Sequence, residues 1–366
     1  VTDPFWHLKG TGFDTDEPTV VRETSSPAAA FAPGLAGHDS ARVHAYVERA
    51  SAEATLRAYR SDWRLFCAWC AENGYRPLPA SPAIVAAFLT LLADEGFVPR
   101  QAPSTKAGRV ISQRGPRPLG RATIGRRLAA IVFAHRAANA LPPTAHPDAA
   151  RLERVMRGIR KAKKDERPAK KHAADSDVMR DMLRSVAGES LRAYRDRALL
   201  AIGMAGAFRR SELVAVTTDH VTADSRGLLV RIRSSKTDQE GRGQSVAIPD
   251  GQRLEPVRHY RAWIEMAGIS EGPVFRKLTP QGRVTAKAMS AQGVALVVKA
   301  AAAAAGYSSN SFSAHSLRAG FLTEAGRQNA NLFKMKEHSR HSSLEMVAEY
   351  VRDHDRFRQH AGEGFL

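Results

Sequence analysis

Apolar residues recur at intervals of three and four through much of this chain, and that period restricts the fold more tightly than any other feature of the sequence. From Thr55 to Cys70 the residues Leu56, Tyr59, Trp63, Phe66 and Cys70 mark one helical face, with Arg57, Arg60, Asp62 and Arg64 between them. Ser81-Pro82 reads as an N-cap followed by proline in the first turn, opening a helix through Val85, Phe88, Leu89 and Leu92 that ends near Gly96. A third helix is predicted from about Thr123, with Ile124, Leu128 and Ile131 inward. A fourth follows from about Asp148, with Leu152, Val155, Met156 and Ile159 on one face. After Ala173, helical patterns cover Val178–Val186, Leu191–Gly206 and four stretches at about 252–266, 288–305, 315–326 and 343–352. Only Leu228–Arg233 and Ser245–Ile248 read as strands, around a turn containing Gly241 and Gly243. The expected fold class is mainly α: an N-terminal all-α helical bundle, and a C-terminal mixed α domain with a small β-sheet or hairpin.

Charge divides the same chain. The 366 residues carry 55 Lys and Arg against 37 Asp and Glu, a net +18, which points to a polyanionic partner such as nucleic acid. Residues 1–40 run the other way, with Lys9 and Arg22 against Asp3, Asp14, Asp16, Glu17, Glu23 and Asp39. That acidic leader has no periodicity and is expected to be disordered and dispensable for cleavage. Between Phe97 and Pro147 there is no acidic residue, while Arg100, Lys106, Arg109, Arg114, Arg117, Arg121, Arg126, Arg127 and Arg136 are present. Solvated faces normally mix both signs, so this stretch is expected to contact phosphates. A second basic run, with Arg157, Arg160, Lys161, Lys163, Lys164, Arg167, Lys170 and Lys171 interrupted by Pro168, reads as a linker. The expected organisation is a leader at 1–40, a helical DNA-binding domain at 41–165, a basic linker at 166–176 and a second domain at 177–366. No apolar run approaches the roughly 18 residues of a membrane span and no signal-peptide pattern opens the chain, so a cytoplasmic, nucleoid-associated protein without membrane contact is expected.

Two cysteines exclude a disulfide scaffold. Cys67-Ala-Trp-Cys70 matches C-x-x-C, yet it sits within an amphipathic helix with no second pair and no histidine at ligand spacing, so packing is the expected role.

Five pieces of the C-terminal domain carry candidate chemistry. Arg209 and Glu212 in Ala-Phe-Arg-Arg-Ser-Glu-Leu stand three apart, a spacing that places them on one helical face, and Lys236 lies at the hairpin tip. His315 is the only one of 13 histidines with an arginine three residues on, Arg318. His341 and Tyr350 are nine apart, which at about 100° per residue puts them on opposite sides of a continuous helix. They converge only if His341 precedes the helix, and Ser342 with Glu345 forms a capping-box pattern that would start it there. Taken singly, each piece also fits a structural ion pair, a turn lysine, a helix surface or a core aromatic.

The order Arg, Lys, His-x-x-Arg, His, Tyr resembles that of the tyrosine recombinase (phage integrase) family. F-R-R-S-E-L, H-S-L-R-A-G and R-H-S-S-L-E-M-V-A-E-Y-V-R resemble its catalytic motifs, and A-Y-R-S-D-W-R-L-F-C-A-W-C its helical core-binding domain. The chain departs from the pattern at Ser339-Arg340, where many members have Leu-Gly, a change expected to affect local packing more than chemistry. The resemblance implies a site-specific recombinase that cleaves and rejoins DNA through a covalent 3′-phosphotyrosine. Tyr350 would be the nucleophile, Arg209 and Arg318 would stabilise the phosphate, and Lys236 would protonate the leaving 5′ oxygen. His315 would assist proton transfer, His341 would hydrogen-bond the phosphate, and Glu212 would orient Arg209 and His315.

The resemblance further implies a C-shaped clamp on double-stranded DNA that is tetrameric on its sites and monomeric or dimeric without them. The tail ending in Phe365 and Leu366 would dock on a neighbour, and accessory proteins are left open. Neither metal, ATP nor any other cofactor is implied. Proposed DNA contacts are Arg100, Lys106, Arg109, Arg121, Arg126, Arg127, Arg160, Lys161, Lys163 and Lys164. Two alternatives share these features: a type IB-like topoisomerase, and a non-catalytic DNA-binding protein that retains the fold.

Overall fold

The computed structural model describes residues 53–100, 115–166, 171–232 and 243–352. The chain divides into two compact units, Val1–Pro168 and Ala169–Leu366. Among the described residues no helix is long and apolar enough to cross a membrane.

In the first unit, α1 (Glu53–Glu72), α2 (Pro82–Asp94), α3 (Arg121–Ala137) and α4 (Ala149–Ala162) pack α1 against α3 and α2 against α4. Of the apolar stripe read from the sequence, Leu56, Trp63, Phe66 and Cys70 are buried and Tyr59 is half-buried; joined by Trp69, they meet Val85, Phe88, Leu89 and Leu92 on α2. Phe88 lies 5.1 Å from the Phe66 ring and 5.2 Å from the Trp69 ring, an aromatic cluster that fixes the α1–α2 contact. Ser81 caps α2 by accepting from the Ile84 N–H, and Pro82 occupies the first turn, where no amide hydrogen is needed. Buried His135 ties α3 to the entrance of α2. Its Nδ1 pairs with the Ile131 carbonyl at 2.8 Å, and Nε2 accepts the Ala80 N–H at 2.9 Å. Cys70 is fully buried, and burial pushes its thiol up to about 12, so it behaves as an apolar packing group.

The second unit is built on α6 (Leu191–Ala205), which follows α5 (Ser176–Ser185) and is buried without interruption from Ala198 to Met204. A helix apolar all round belongs at a centre, and α8 (Pro256–Met266) packs along it. The predicted hairpin is one part of a three-stranded antiparallel sheet, β1 (Val221–Asp224), β2 (Gly227–Ile232) and β3 (Gln244–Pro249). Leu228 pairs with Ile248 and Val230 with Val246, and these alternate residues face the core. A second, two-stranded sheet pairs β4 (Arg276–Leu278) with β5 (Val284–Ala288). Three more helices complete the described framework: α9 (Ala291–Ala304), α10 (His315–Arg327) and α11 (Leu332–Ser339), with the short α7 (Arg210–Val214) and the terminal α12 (Leu344–Arg352) carrying further site residues.

Two glycines let α10 approach its neighbours. A Cβ at Gly320 would lie 1.8 Å from the Ala174 carbonyl oxygen, and one at Gly203 would lie 2.7 Å from Leu317 Cδ1. The segment before α5 therefore passes directly over α10, where the Ala174 N–H donates to the Ser316 carbonyl at 2.9 Å. A satellite cluster of Leu322, Met335 and Val347 joins α10, α11 and α12, with Tyr350 half-buried against it.

Candidate active site

The site begins where α6 ends. Ala207 takes a left-handed conformation, φ 45°, which turns the chain sharply and presents Arg209 as the N-cap of α7. Arg209 and Glu212 therefore do not share a helical face, as their spacing suggested, but form a cap. The Glu212 carboxylate accepts the Arg209 backbone N–H at 2.9 Å and its Nη1 at 2.6 Å. This carboxylate is almost wholly buried, and its second partner is Arg340, not the expected His315: Arg340 Nη2 donates to Glu212 Oε2 at 2.9 Å. Burial alone would raise the Glu212 carboxyl, but Arg340 and Arg209 hold it below its ordinary range, so it is ionised.

His315 opens α10, and Arg318 follows one turn later. Arg318 is 1% exposed; its Nη1 donates to the Ala207 carbonyl at 3.0 Å, and its Nη2 has no hydrogen-bond partner. Burial, then Arg209 and Arg340, lower the Arg318 pKa from its usual value, yet a guanidinium remains a cation at neutral pH. His315 Nε2 lies 3.1 Å from the Tyr350 hydroxyl. Burial and the charges of Arg318 and Arg209 hold His315 below the ordinary histidine range, so its imidazole is neutral and able to accept a proton.

α11 ends on Arg340, also left-handed at φ 58°, and the chain emerges as His341. His341 Nδ1 pairs with Ser339 Oγ at 2.7 Å, while that hydroxyl also bonds the Met335 carbonyl at 2.6 Å. Burial, then Arg318, Arg209, His315 and Arg340, bring His341 down to about 3. The capping box expected at Ser342 does not form. Ser343 instead accepts the Met346 N–H, so α12 starts one residue later, with His341 still ahead of it. Tyr350 thereby reaches His315, and its ring centroid lies 6.2 Å from that of His341.

Arg209, Glu212, His315, Arg318, His341 and Tyr350 are thus gathered in one place by four segments of the second unit. Lys236 lies outside the described residues. Arg340, together with Ser339, is the participant that sequence reasoning placed in packing; its partner Glu212 is 128 residues away, so no local spacing could announce it. Chemically, three guanidiniums against one carboxylate make a cationic pocket for an anion, beside a phenol held by a neutral imidazole.

In the first unit, Asp62 is buried and lies 3.2 Å from both Arg126 and Arg127, anchoring their guanidiniums. Arg121, Arg160 and Lys161 are exposed, and so are Arg100, beside Glu72, and Lys164, beside Asp165. Lys163 is buried, with its ammonium 2.7 Å from Glu166, which makes it an intramolecular ion pair and not a free phosphate ligand. Lys106 and Arg109 lie outside the described residues.

Residues 143–356 match the phage integrase family. The chain is 32% identical over 321 residues to an integrase/recombinase XerD homolog of Selenomonas ruminantium, covering 86% of each protein. Among solved structures it resembles the Tn1549 transposon integrase in complex with transposon right end DNA (TM-score 0.54, 13% identity, 88% of this chain and 97% of that one). It also resembles the XerH site-specific recombinase bound to palindromic difH substrate (0.52, 15%, 78% and 73%). A lambda integrase dimer bound to a core site gives a TM-score of 0.51 at 16% identity, covering 86% and 75%.

Proposed function

This chain belongs to the phage integrase family and is a site-specific recombinase, and from that premise we propose how its residues cleave and rejoin DNA. The observation that carries the reading is the 3.1 Å contact between Tyr350 Oη and His315 Nε2 beside half-buried Arg209 and the buried Arg318 and Glu212. Tyr350 Oη attacks the scissile phosphorus, and its proton passes to neutral His315. The bond to the 5′ oxygen breaks as the tyrosine–phosphorus bond forms, leaving a 3′-phosphotyrosine. Because one phosphodiester replaces another, the energy is stored for the return attack by a 5′ hydroxyl. Arg209 and Arg318 supply fixed, planar donors to the non-bridging oxygens, whose charge grows in the transition state. His341 donates Nε2–H to the same phosphate in the tautomer whose Nδ1 accepts the Ser339 hydroxyl, which turns its proton from the Met335 carbonyl to do so. Lys236 protonates the departing 5′ oxygen.

The partner is double-stranded DNA, and the working assembly is a homotetramer on two sites, monomeric or dimeric when free, in the cytoplasm with the nucleoid. The chain is organised as leader 1–40, core-binding domain 41–165, linker 166–176 and catalytic domain 177–366. Arg100, Arg121, Arg126, Arg127, Arg160, Lys161 and Lys164, with Lys106 and Arg109, contact the duplex backbone. Burial, with its ammonium turned to Glu166, removes Lys163 from that set.

The test begins with a pool of nicked duplexes of randomised sequence incubated with the full chain. Adducts that survive denaturation in detergent are sequenced to recover a working substrate. Wild type is expected to give a covalent protein–DNA adduct and Tyr350→Phe none. No wild-type adduct, or an adduct that persists in the phenylalanine variant, overturns the reading.

A further inference from the structure

We propose that Arg340 is a positioning residue for strand cleavage, holding Arg209 and Arg318 in register with the phosphate. The inference rests on the reading of this site as the DNA-cleaving centre. Arg340 is 3% exposed, and a buried cation in a left-handed backbone at φ 58° persists only where its surroundings over-determine it. They do so here. Nη2 donates to Glu212 Oε2 and to the Ala207 carbonyl, each at 2.9 Å, and both terminal nitrogens lie 3.2 Å from the Gly206 carbonyl. Nη1 also reaches the His338 carbonyl, and the guanidinium lies 5.2 Å from the centre of the Phe208 ring.

These contacts lead to three of the proposed catalytic groups. Glu212 is the carboxylate that clamps Arg209. The Arg340 backbone carbonyl accepts directly from Arg209 Nη2 at 2.8 Å. The Ala207 carbonyl is shared with Arg318, and His341 is the next residue in the chain. Arg340 thus braces both phosphate-binding arginines while its own side chain, 1% exposed, offers DNA almost no surface. A rigid frame of this kind is what transition-state stabilisation requires, because donors that need no rearrangement during reaction are the effective ones.

Arg340→Gly is the informative variant, since glycine accepts φ 58° without the steric penalty of a Cβ and so removes the guanidinium while easing the backbone. Single-turnover cleavage is measured on the duplex recovered above, and again on that duplex with an uncharged methylphosphonate at the scissile position. DNA affinity is measured alongside by fluorescence anisotropy. The expected loss of cleavage rate is about 30-fold on the phosphodiester, with affinity changed less than about threefold. On the uncharged linkage, which depends less on aligned cations, the loss is expected to shrink to about threefold. A merely structural role would slow both linkages equally; that result, or no loss on either, overturns the proposal while wild-type adduct formation keeps the underlying reading intact. If the glycine variant does not fold, Arg340→Lys carries the test. Lys keeps the charge but not the fork that bridges Glu212 and the carbonyls, and is expected to show the same dependence on linkage; equal rates on both linkages overturn the proposal here too.

Discussion

Replacing Glu212 by glutamine tests whether the carboxylate organises the site. It accepts three hydrogen bonds, from the Arg209 backbone, Arg209 Nη1 and Arg340 Nη2, with the side chain 2% exposed, so solvent screening is minimal. Glutamine has the same shape but one acceptor oxygen. If that oxygen takes the place of Oε2, the amide nitrogen faces Arg209 Nη1, donor against donor; if it takes the place of Oε1, the clash moves to Arg340. In either orientation at least one charge-assisted bond is lost and two cations lose their counter-charge. At about 1.5–3 kcal/mol per charge-assisted bond, and given the cost of breaking a buried pair, the loss is about 3–5 kcal/mol. For a unit the size of Ala169–Leu366, roughly 2–4 °C per kcal/mol lowers the melting temperature by about 10 °C. Differential scanning calorimetry of the full chain reads this, and suicide-duplex cleavage is expected to fall about 100-fold as Arg209 loses its clamp. Because Glu212 is held below its ordinary value of 4.5, its stabilisation is complete above that pH and fades as pH falls below it, so the gap between wild type and variant narrows in acid. A melting point within about 2 °C of wild type at neutral pH refutes the reasoning.

Two further outcomes follow from the geometry. Gly320→Ala would set a Cβ 1.8 Å from the Ala174 carbonyl, a contact between two main chains that no rotamer relieves, and should destabilise the second unit by about 3 kcal/mol or more in thermal melting; an unchanged melting point contradicts the packing described. His315 is held below 6.5 by burial and two arginines, so it stays neutral until the solution is more acidic than for an ordinary histidine, and the acid limb of single-turnover cleavage should fall below pH 6.5. A limb above that value excludes His315 as the proton acceptor.

Legibility in the sequence followed the strength of the local signal. The helices of the first unit and α6 announced themselves because long apolar periods face a core. β1 did not, since Val221-Thr-Ala-Asp224 holds a single large apolar residue and its side chains are mostly exposed. α11 was missed for a related reason: Leu332 and Phe333 face outward, and only Met335 and Ser339 are buried. Among site residues, His315 with Arg318 and the break before Tyr350 could be read from spacing. The capping of α7 by Arg209 could not, because it depends on the turn at Ala207, and neither could the burial of Arg340, whose partners Gly206, Ala207 and Glu212 lie more than a hundred residues away.

That turn has a consequence for how the site can change. The Ala207 carbonyl is an acceptor for both Arg318 and Arg340, and the Gly206 carbonyl beside it also accepts from Arg340. A main-chain oxygen neither titrates nor can be deleted by substitution; it can only be moved. The separation of the two guanidiniums is therefore encoded in backbone torsions as well as in the Glu212 side chain. A Cβ at Gly206 would lie 2.2 Å from the Phe208 ring, so even the smallest branch there would shift the ruler against which both cations are set.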